Sequence, residues 1–378
     1  MKKQPHYEYS RSNIIERISY LKRLSAPFGL IVRYAVKANP HPEIIKMMND
    51  KDVHFDASSS YEATELLERG ISGNKISLSS QQTPHNLEYL LDKGILFVAT
   101  SVQQLKIFLE TKNHPNKVGV RINPDIKGGG HNKRTSTGGV SASFGIWYEY
   151  ADELINLVNK AGVVIDRLHI HIGSGADPKI WGDVMERSLQ IVEIFKDVTT
   201  LDIGGGYKVH RYGEEKEADM VAILEMFSAR LTEFKEKTGR EIKIEIEPGT
   251  YFVAHAGTLV AQIDDIVDTG KNGFTFLKLN TGMNDFLRSA IYGAQHMIEV
   301  VNDASTENKK DYVVVGHNCE SGDIFTPAPG NPEEIQTRSL KEAQIGDEVR
   351  IHDVGAYCES MSTKGYNSFP SAGSVMVD

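Results

Sequence analysis

The chain has 378 residues, enough for two domains, and its 40% hydrophobic and 25% charged residues are ordinary shares for a globular protein. A formal net charge of -9 argues against a nucleic-acid partner, which would require a basic face, and only two cysteines exclude a disulfide framework. No apolar run could cross a bilayer and the first residues lack the apolar core of a signal peptide, so we expect a cytoplasmic protein.

Short β-rich runs alternate with helical segments from about residue 29 to residue 247. The predicted strands cover residues 29–36, 53–56, 75–78, 96–99, 117–122, 164–171, 200–203 and 242–246. Amphipathic segments lie between most of them, among them residues 60–69, 86–93, 150–161 and 221–237. Eight strands with crossover helices predict an α/β fold, a (β/α)8 TIM-like barrel, whose catalytic residues lie at the C-terminal ends of the strands.

The pattern changes after about residue 251, where β-rich runs are separated by turns with little helical period. The predicted strands here cover residues 259–267, 275–279, 312–315, 348–352 and 374–377. They predict a C-terminal β-rich domain with antiparallel strands. Within the barrel, the Gly-rich polar stretch 126–140 is predicted to be a flexible loop or lid, because it has nothing to pack into a core.

Lys37 ends an apolar strand, and Asn39-Pro40 then turns the chain. A lysine that is partly desolvated and held at one point can form a Schiff base with a carbonyl cofactor. A lysine at a strand end is more commonly a surface residue with its amine in water, so this signal is weak by itself. The motifs that follow in the sequence decide whether Lys37 is interpreted as a cofactor-binding lysine.

Two later motifs also lie at predicted strand ends. His169 and His171 share one face of a strand, which is a possible zinc pair. Metal-dependent barrel hydrolases place such a pair on the first strand, whereas this pair is on about the sixth and precedes Gly-Ser-Gly, so a metal is disfavoured. The triplet 204–206 is all glycine after an apolar strand, and consecutive backbone N–H groups in such a turn bind phosphate.

The ordered set of motifs resembles a known enzyme family over nearly the whole chain. The motifs are His-Ile-His-Ile-Gly-Ser-Gly at 169–175, Asp-Ile-Gly-Gly-Gly at 202–206, Glu-Pro-Gly at 247–249, Cys-Glu-Ser-Gly-Asp at 319–323 and Gly-Ala-Tyr at 355–357. Together with Lys37 they resemble the fold type III (alanine-racemase-type) pyridoxal-phosphate decarboxylases of ornithine, arginine and diaminopimelate. The 319–323 motif is most similar to the diaminopimelate decarboxylase branch.

The resemblance implies that pyridoxal 5'-phosphate is bound on a lysine and held by residues at neighbouring strand ends. The implied cofactor-binding residues are Lys37, Asp56, Arg121, His171, Ser174, Gly204, Gly205, Gly206, Glu247 and Tyr357. Of these, His171 stacks on the ring, and Ser174, Gly206 and Tyr357 bind the phosphate. Glu247 pairs with the pyridine nitrogen and keeps it protonated, which favours decarboxylation over racemisation.

The same resemblance implies a homodimer with shared active sites and a small amino-acid substrate. Cys319 is the implied proton donor, reaching across the interface, whereas Cys358 has no such match. The implied catalytic residues are Lys37, Cys319, His171 and Glu247, and the implied substrate-binding residues are Arg288, Tyr292, Glu320 and Tyr357. We expect the barrel at residues 26–255, and a β-domain formed by residues 1–25 and 256–378, with a first strand at 6–9.

Some positions keep a second interpretation or depart from the family pattern. Asp56 and Arg121 are also plausible as salt-bridge partners at strand ends. Thr250 stands where family members usually have an arginine after Glu-Pro-Gly, and Ser143 stands where they usually have a lysine. The missing arginine would have helped to bind the distal carboxylate of diaminopimelate, a contact worth about 1.5–3 kcal/mol.

The predicted function is that of a pyridoxal-phosphate-dependent carboxy-lyase that converts meso-diaminopimelate to L-lysine and carbon dioxide. Three alternatives stay open. The first is a decarboxylase of lysine, ornithine, arginine, carboxynorspermidine or a carrier-bound amino acid. The second is a racemase, which Glu247 and the Cys319 motif disfavour. The third is a non-catalytic regulatory homologue, which we would expect to have lost Lys37, Cys319 or the glycines.

Overall fold

A computed structural model describes residues 3–126, 138–171, 173–302 and 308–378. Most of the predicted loop at 126–140 therefore lies outside the described residues. Within the described parts of the chain, no helix has the length and apolar character needed to cross a membrane. The chain begins with strand β1 (His6–Ser10) and helix α1 (Arg11–Lys22), whose N-terminus is capped by the Ser10 hydroxyl.

Eight parallel strands then close into a barrel, each hydrogen-bonded to two neighbours. They are β2 (Leu30–Ala35), β3 (His54–Ala57), β4 (Ile76–Ser79), β5 (Leu96–Ala99), β6 (Lys117–Asn123), β8 (Val164–His169), β9 (Thr200–Asp202) and β10 (Lys243–Ile246). A two-residue strand, β7 (Ile146–Trp147), pairs with the outer end of β6. The predicted (β/α)8 barrel is confirmed, and each of its eight strands lies where the sequence placed it.

Within the described parts of the barrel, seven α-helices connect the strands. They are α2 (Pro42–Asp50), α3 (Ser60–Glu68), α4 (Leu87–Asp92), α5 (Val102–Glu110), α6 (Ala151–Ala161), α7 (Pro178–Ile194) and α8 (Met220–Thr238). Local capping sets several of their starts, because the side chains of Ser59, Ser101 and Asp219 each accept a hydrogen bond from a backbone N–H of the first turn. At Ser59 and Ser101 the capped helix therefore begins three residues after the end of the preceding strand.

The barrel interior contains a buried ion triad below the strand ends. Arg33 donates to both oxygens of Glu245, at 2.9 and 3.1 Å, and Arg167 donates to the same carboxylate. The three side chains come from β2, β10 and β8 and point inward, since side chains alternate along a strand. Removing one partner of such a buried pair costs about 3–5 kcal/mol, so the triad holds these strands in register beneath the site.

The second domain is built on a mostly antiparallel sheet. Its strands are β1, β11 (Gly257–Asp268), β12 (Thr275–Leu279), β13 (Ile298–Val301), β14 (Lys309–Val315), β17 (Arg338–Lys341), β18 (Glu348–His352) and β19 (Gly373–Val377). The N-terminal strand β1 joins this sheet, as expected, where it pairs antiparallel with β11 and parallel with β19. Two short helices, α9 (Thr250–Val253) and α10 (Arg288–Tyr292), and a hairpin of β15 (Pro327–Ala328) and β16 (Asn331–Ile335) complete the described structure.

Candidate active site

Lys37 projects from a single 3-10 turn, Val36–Ala38, that ends β2. Its Nζ donates to Asp56 Oδ2 at 3.1 Å and to Ser58 Oγ at 2.9 Å, both at the end of the neighbouring strand β3. The side chain keeps 44% of its accessible surface because it lies at the mouth of the barrel. Desolvation opposes its charge, but Asp56, Tyr357 and Glu247 together outweigh this effect and raise the pKa of Lys37 above its ordinary value.

The turn that carries the lysine is held from the β-domain side. The backbone N–H of Tyr357 donates to the carbonyl of Ala38 at 2.8 Å, and the Asn39 amide donates to the carbonyl of Gly355 at 3.0 Å. The Gly-Ala-Tyr segment also packs tightly on the end of α9, because a Cβ at Gly355 would overlap the carbonyl of Val253. The Gly-Ala-Tyr motif therefore fixes the backbone next to the amine, and both domains contribute to the site.

Polar side chains of four neighbouring strands line up inside the barrel. Strand register pairs Arg121 with His169, His169 with Asp202, and Asp202 with Glu245. Glu247 lies two residues beyond Glu245, so it points inward one layer higher, directly after the strand that neighbours β2. The period of two therefore gathers these groups at the carboxyl end of the barrel.

Glu247 is the buried acid of this layer, with 4% of its surface exposed. One carboxylate oxygen, Oε2, lies 3.5 Å from His169 Nε2, while Oε1 has no hydrogen-bond partner. Burial, reinforced by the charge of Asp202, raises the pKa of Glu247 well above its usual range. A cationic nitrogen placed at the free oxygen would satisfy it and would stabilise the ionised form.

The glycine triplet forms a cradle around His171. The N–H of Gly205 donates to His171 Nδ1 at 3.1 Å, and burial holds the pKa of His171 well below its usual range, so the ring is neutral. Gly204 and Gly206 have φ values of +71° and +101°, which disfavour other residues. A Cβ at Gly206 would also overlap the carbonyl of Gly173 and lie 2.9 Å from the Cα of Ser174. Glycine is therefore the residue that fits at these positions.

Arg121 is also buried, with 9% of its surface exposed, and lies inside the barrel rather than at its edge. Its guanidinium lies 5.1 Å from the centre of the Phe144 ring, and its Nη2 has no hydrogen-bond partner. Burial lowers the pKa of this guanidinium. Among the described residues Arg121 forms no ion pair, whereas the Asp56 carboxylate pairs with Lys37 and keeps Oδ1 unpartnered.

Three side chains, which are not the His169–His171 pair considered from the sequence, lie close enough together to bind a metal ion. Ligand atoms of His169, Asp202 and Glu247 lie within 4.8 Å of one another. His171 does not join this cluster because its Nδ1 accepts from Gly205.

The residues expected at the distal end of the substrate lie in the β-domain. Arg288 begins α10 and its Nη1 lies 3.3 Å from His296 Nε2, while Tyr292 ends the same helix. Cys319 and Glu320 lie in the loop after β14, and Cys319 is exposed. Within the described residues, the Cys319 loop makes no hydrogen bond or ion pair with the lysine turn of its own chain.

Sequence reasoning missed other residues that the structure brings to the site. Ser58 could have been found, because it follows Asp56 by two residues and so shares its face of the strand. Asp202 was noted only as a residue before the glycines, yet its carboxylate accepts from the N–H of Gly204 at 2.9 Å.

The barrel, with its polar groups gathered around one lysine, defines an enzyme of the (β/α)8 class whose site is completed by a second domain. Residues 11–254 match the family model for the pyridoxal-dependent decarboxylase, pyridoxal binding domain. The chain belongs to this family of pyridoxal-phosphate-dependent amino-acid decarboxylases.

Named relatives and solved structures resemble the chain over nearly its full length. Diaminopimelate decarboxylase of Streptomyces coelicolor is 33% identical over 384 residues, covering 99% of this chain and 84% of the relative. The Escherichia coli K12 enzyme of the same name is 30% identical over 99% of this chain and 89% of its own length. A crystal structure of diaminopimelate decarboxylase from Helicobacter pylori, complexed with L-lysine, has a TM-score of 0.88 at 26% identity, covering 100% of this chain and 92% of that one.

The residues present fit the cofactor that the family name implies. The unpartnered Oε1 of Glu247 and Nη2 of Arg121 are buried polar atoms that a ring with polar substituents would satisfy. The glycines at 204–206 pack so closely against His171, Glu247 and Gly173 that no side chain fits, which brings a bare backbone turn next to these groups. These features are independent of the sequence comparison and agree with it.

Proposed function

We propose that this chain holds pyridoxal 5'-phosphate on Lys37 and decarboxylates meso-diaminopimelate to L-lysine and carbon dioxide. The observation that carries the proposal is the placement of the lysine amine between two carboxylates on neighbouring strands, Asp56 and Glu247, of which Glu247 keeps a free oxygen. The names of the Streptomyces and Escherichia relatives support the substrate, and the L-lysine in the Helicobacter structure corresponds to the product.

Each barrel residue has a defined part in holding the cofactor. The backbone of Gly206, with Ser174 and Tyr357, would bind the phosphate, since the N–H groups of Gly204 and Gly205 donate to Asp202 and His171. The neutral ring of His171 would pack on the cofactor, and Glu247 Oε1 would accept a hydrogen bond from its protonated ring nitrogen. Asp56 and Arg121 position the cofactor. When bound, the cofactor supplies an electron sink for the pair of electrons that departing carbon dioxide leaves behind.

Two residues hold protons for the reaction. Lys37 is protonated in this structure and, next to a bound substrate, would hold or move a proton at the substrate nitrogen. Cys319 then donates a proton to the substrate carbon that has lost its carboxylate. The exposed position of Cys319 supports delivery into the partner subunit of a homodimer, so that two chains share each site.

The β-domain binds the distal end of the substrate. Arg288 and Tyr292 bind the distal carboxylate, and Glu320 faces the distal amine. Binding energy from these contacts orients the bond to be broken relative to the ring. We also propose the domain division expected from the sequence, with a barrel at 26–255 and a β-domain at 1–25 and 256–378, and a cytoplasmic location.

A carbon dioxide release assay tests this proposal. The panel is meso-diaminopimelate, lysine, ornithine, arginine and carboxynorspermidine, with Lys37→Ala as the inactive control. We expect kcat/KM for meso-diaminopimelate to exceed that for every other compound by at least about tenfold, equal to roughly 1.4 kcal/mol of preferential transition-state binding. A preference for a compound without a distal carboxylate would refute the substrate, and no release from any compound would refute the activity.

A further inference from the structure

Arg211, in the connection between β9 and α8, is a buried cation with incomplete hydrogen bonding. Only 6% of its surface is exposed, its Nη2 has no hydrogen-bond partner, and its Nε makes one long contact, 3.4 Å, with the carbonyl of Asp353. It forms no ion pair within the described residues, although Glu215 accepts from its backbone N–H at 3.1 Å. Burial, and after it the charge of Arg288, lowers the pKa of Arg211 to about 9. A charge buried in this way is costly unless an anion joins it.

Arg288, in the β-domain, is anchored beside the residue that binds Arg211. The Nδ1 of His296 lies 2.9 Å from the carbonyl of His352, so it carries the proton and Nε2 is left to accept from Arg288. Burial holds the pKa of His296 well below its usual range, which keeps the imidazole neutral. The adjacent carbonyls of His352 and Asp353 thus anchor two guanidinium groups, that of Arg288 through His296 and that of Arg211 directly.

This pair of cations lies close to the lysine turn. Asp353, whose carbonyl binds Arg211, lies two residues before Gly355, whose carbonyl accepts from the Asn39 amide beside the lysine turn. Tyr357, two residues further on, donates its backbone N–H to the carbonyl next to Lys37. A substrate whose reacting end is at Lys37 would therefore extend its far end toward the two arginines.

We propose that Arg211 is a specificity-determining residue that binds, together with Arg288, the carboxylate at the far end of the substrate. The inference rests on the proposed function and names the group that selects its substrate class. A carboxylate would supply the missing partner of Arg211 Nη2 and relieve the repulsion between the two cations. The same pair would repel the ammonium group of a monocarboxylic diamino acid, so the site selects amino acids with a second carboxylate.

Calorimetric binding of two seven-carbon probes to the purified holoenzyme tests this role. Pimelate carries a carboxylate at each end and heptanoate at one, so their difference reports the distal contact. We expect Arg211→Leu to weaken pimelate binding about 10- to 100-fold, to leave heptanoate binding unchanged, and to lower kcat/KM for meso-diaminopimelate by a similar factor. Arg230→Leu removes an exposed arginine of α8 and serves as the matched control with wild-type binding.

Thermal melting separates this role from a structural one. Because Arg211→Leu removes a buried and incompletely paired charge, the ligand-free variant should melt at or above the wild-type temperature. If the leucine variant does not fold, Arg211→Gln keeps a polar side chain and should show the same selective loss of pimelate affinity. A lower melting temperature with unchanged discrimination between the probes would overturn the proposal.

The proposed function and the role of Arg211 fail separately. Wild-type release of carbon dioxide from meso-diaminopimelate, with unchanged kinetics and pimelate binding in Arg211→Leu, would overturn only the role of Arg211. No release from any compound of the panel, with pimelate binding that depends on Arg211, would overturn only the decarboxylase activity. The carboxylate-binding role would stand in that case.

Discussion

Lys37 and Glu247 occupy different electrostatic environments on neighbouring strand ends. Desolvation lowers the pKa of Lys37, but Asp56, Tyr357 and Glu247 together raise it, so the amine keeps its proton. Burial and Asp202 raise the pKa of Glu247, which disfavours its ionised form when no cation is near. A protonated ring nitrogen at Glu247 Oε1 would reverse the second effect. The site is therefore preorganised for a ligand that brings one positive charge to Glu247 and takes the amine of Lys37.

The glycine cradle is the element on which phosphate binding depends. Three consecutive glycines follow β9, and each would place a Cβ against protein atoms if replaced. Two of the obstacles are backbone carbonyls, of Glu247 at Gly205 and of Gly173 at Gly206, which cannot rotate away as a side chain could. The N–H groups of Gly204 and Gly205 donate to Asp202 and His171, so the proposed phosphate contact falls to Gly206, whose backbone a side chain would displace.

Gly206→Ala should therefore weaken binding of pyridoxal phosphate by at least about tenfold, because the new Cβ displaces the backbone of the cradle. Gly162→Ala is the matched control, since Gly162 also has positive φ, +67°, but no atom within 4 Å of a built Cβ. The control should lose only about 1 kcal/mol of stability and keep cofactor affinity. Fluorescence titration of the cofactor-free proteins measures both, and wild-type affinity in Gly206→Ala would contradict this account.

Much of the barrel could be predicted because strand, turn and helix signals there are local. The placement of Lys37, His171 and Glu247 at one end of the barrel could be predicted because parallel strands bring their carboxyl ends together and side chains alternate along each strand. The β-domain was harder to predict from the sequence, since β13 and β17 are four residues each and their pairing depends on distant strands. Nothing local to the sequence indicates that β12 and β14 pair in parallel.

Arg211 shows why the rest of the site could not be predicted. Its burial and its contact with Asp353 join residues 142 positions apart, across two domains. Neither a period nor a motif marks such a contact in the sequence. Cys319 presents the reverse case, because its motif was visible but the chain alone does not say which subunit it serves.

The β-domain covers the barrel and also contributes residues to the site. Its Gly-Ala-Tyr segment holds the lysine turn, and its Asp353 and Arg288 surround Arg211. The exposed Cys319 loop makes no polar contact with that turn among the described residues, which supports the proposal that it completes the site of a partner subunit. The working unit would then be a dimer rather than a single chain.

Mixing two inactive variants tests this arrangement. Neither Lys37→Ala nor Cys319→Ala homodimers contain a complete site, whereas each heterodimer contains one. Random exchange makes half of the dimers mixed and repairs half of their sites, so activity should recover to about a quarter of wild type. Absence of recovery, despite exchange demonstrated by mass spectrometry, would show that each chain completes its own site.

The central claim is that Lys37 holds pyridoxal phosphate, and borohydride reduction followed by peptide mapping tests it most directly. Borohydride fixes a cofactor that is held through a carbon–nitrogen double bond to an amine. We predict that the purified protein absorbs in the visible range, that reduction removes this band, and that the pyridoxyl label lies on the peptide containing Lys37. The Lys37→Ala variant should show neither band nor label. A label on another lysine, or a visible band that persists in Lys37→Ala, would contradict the account.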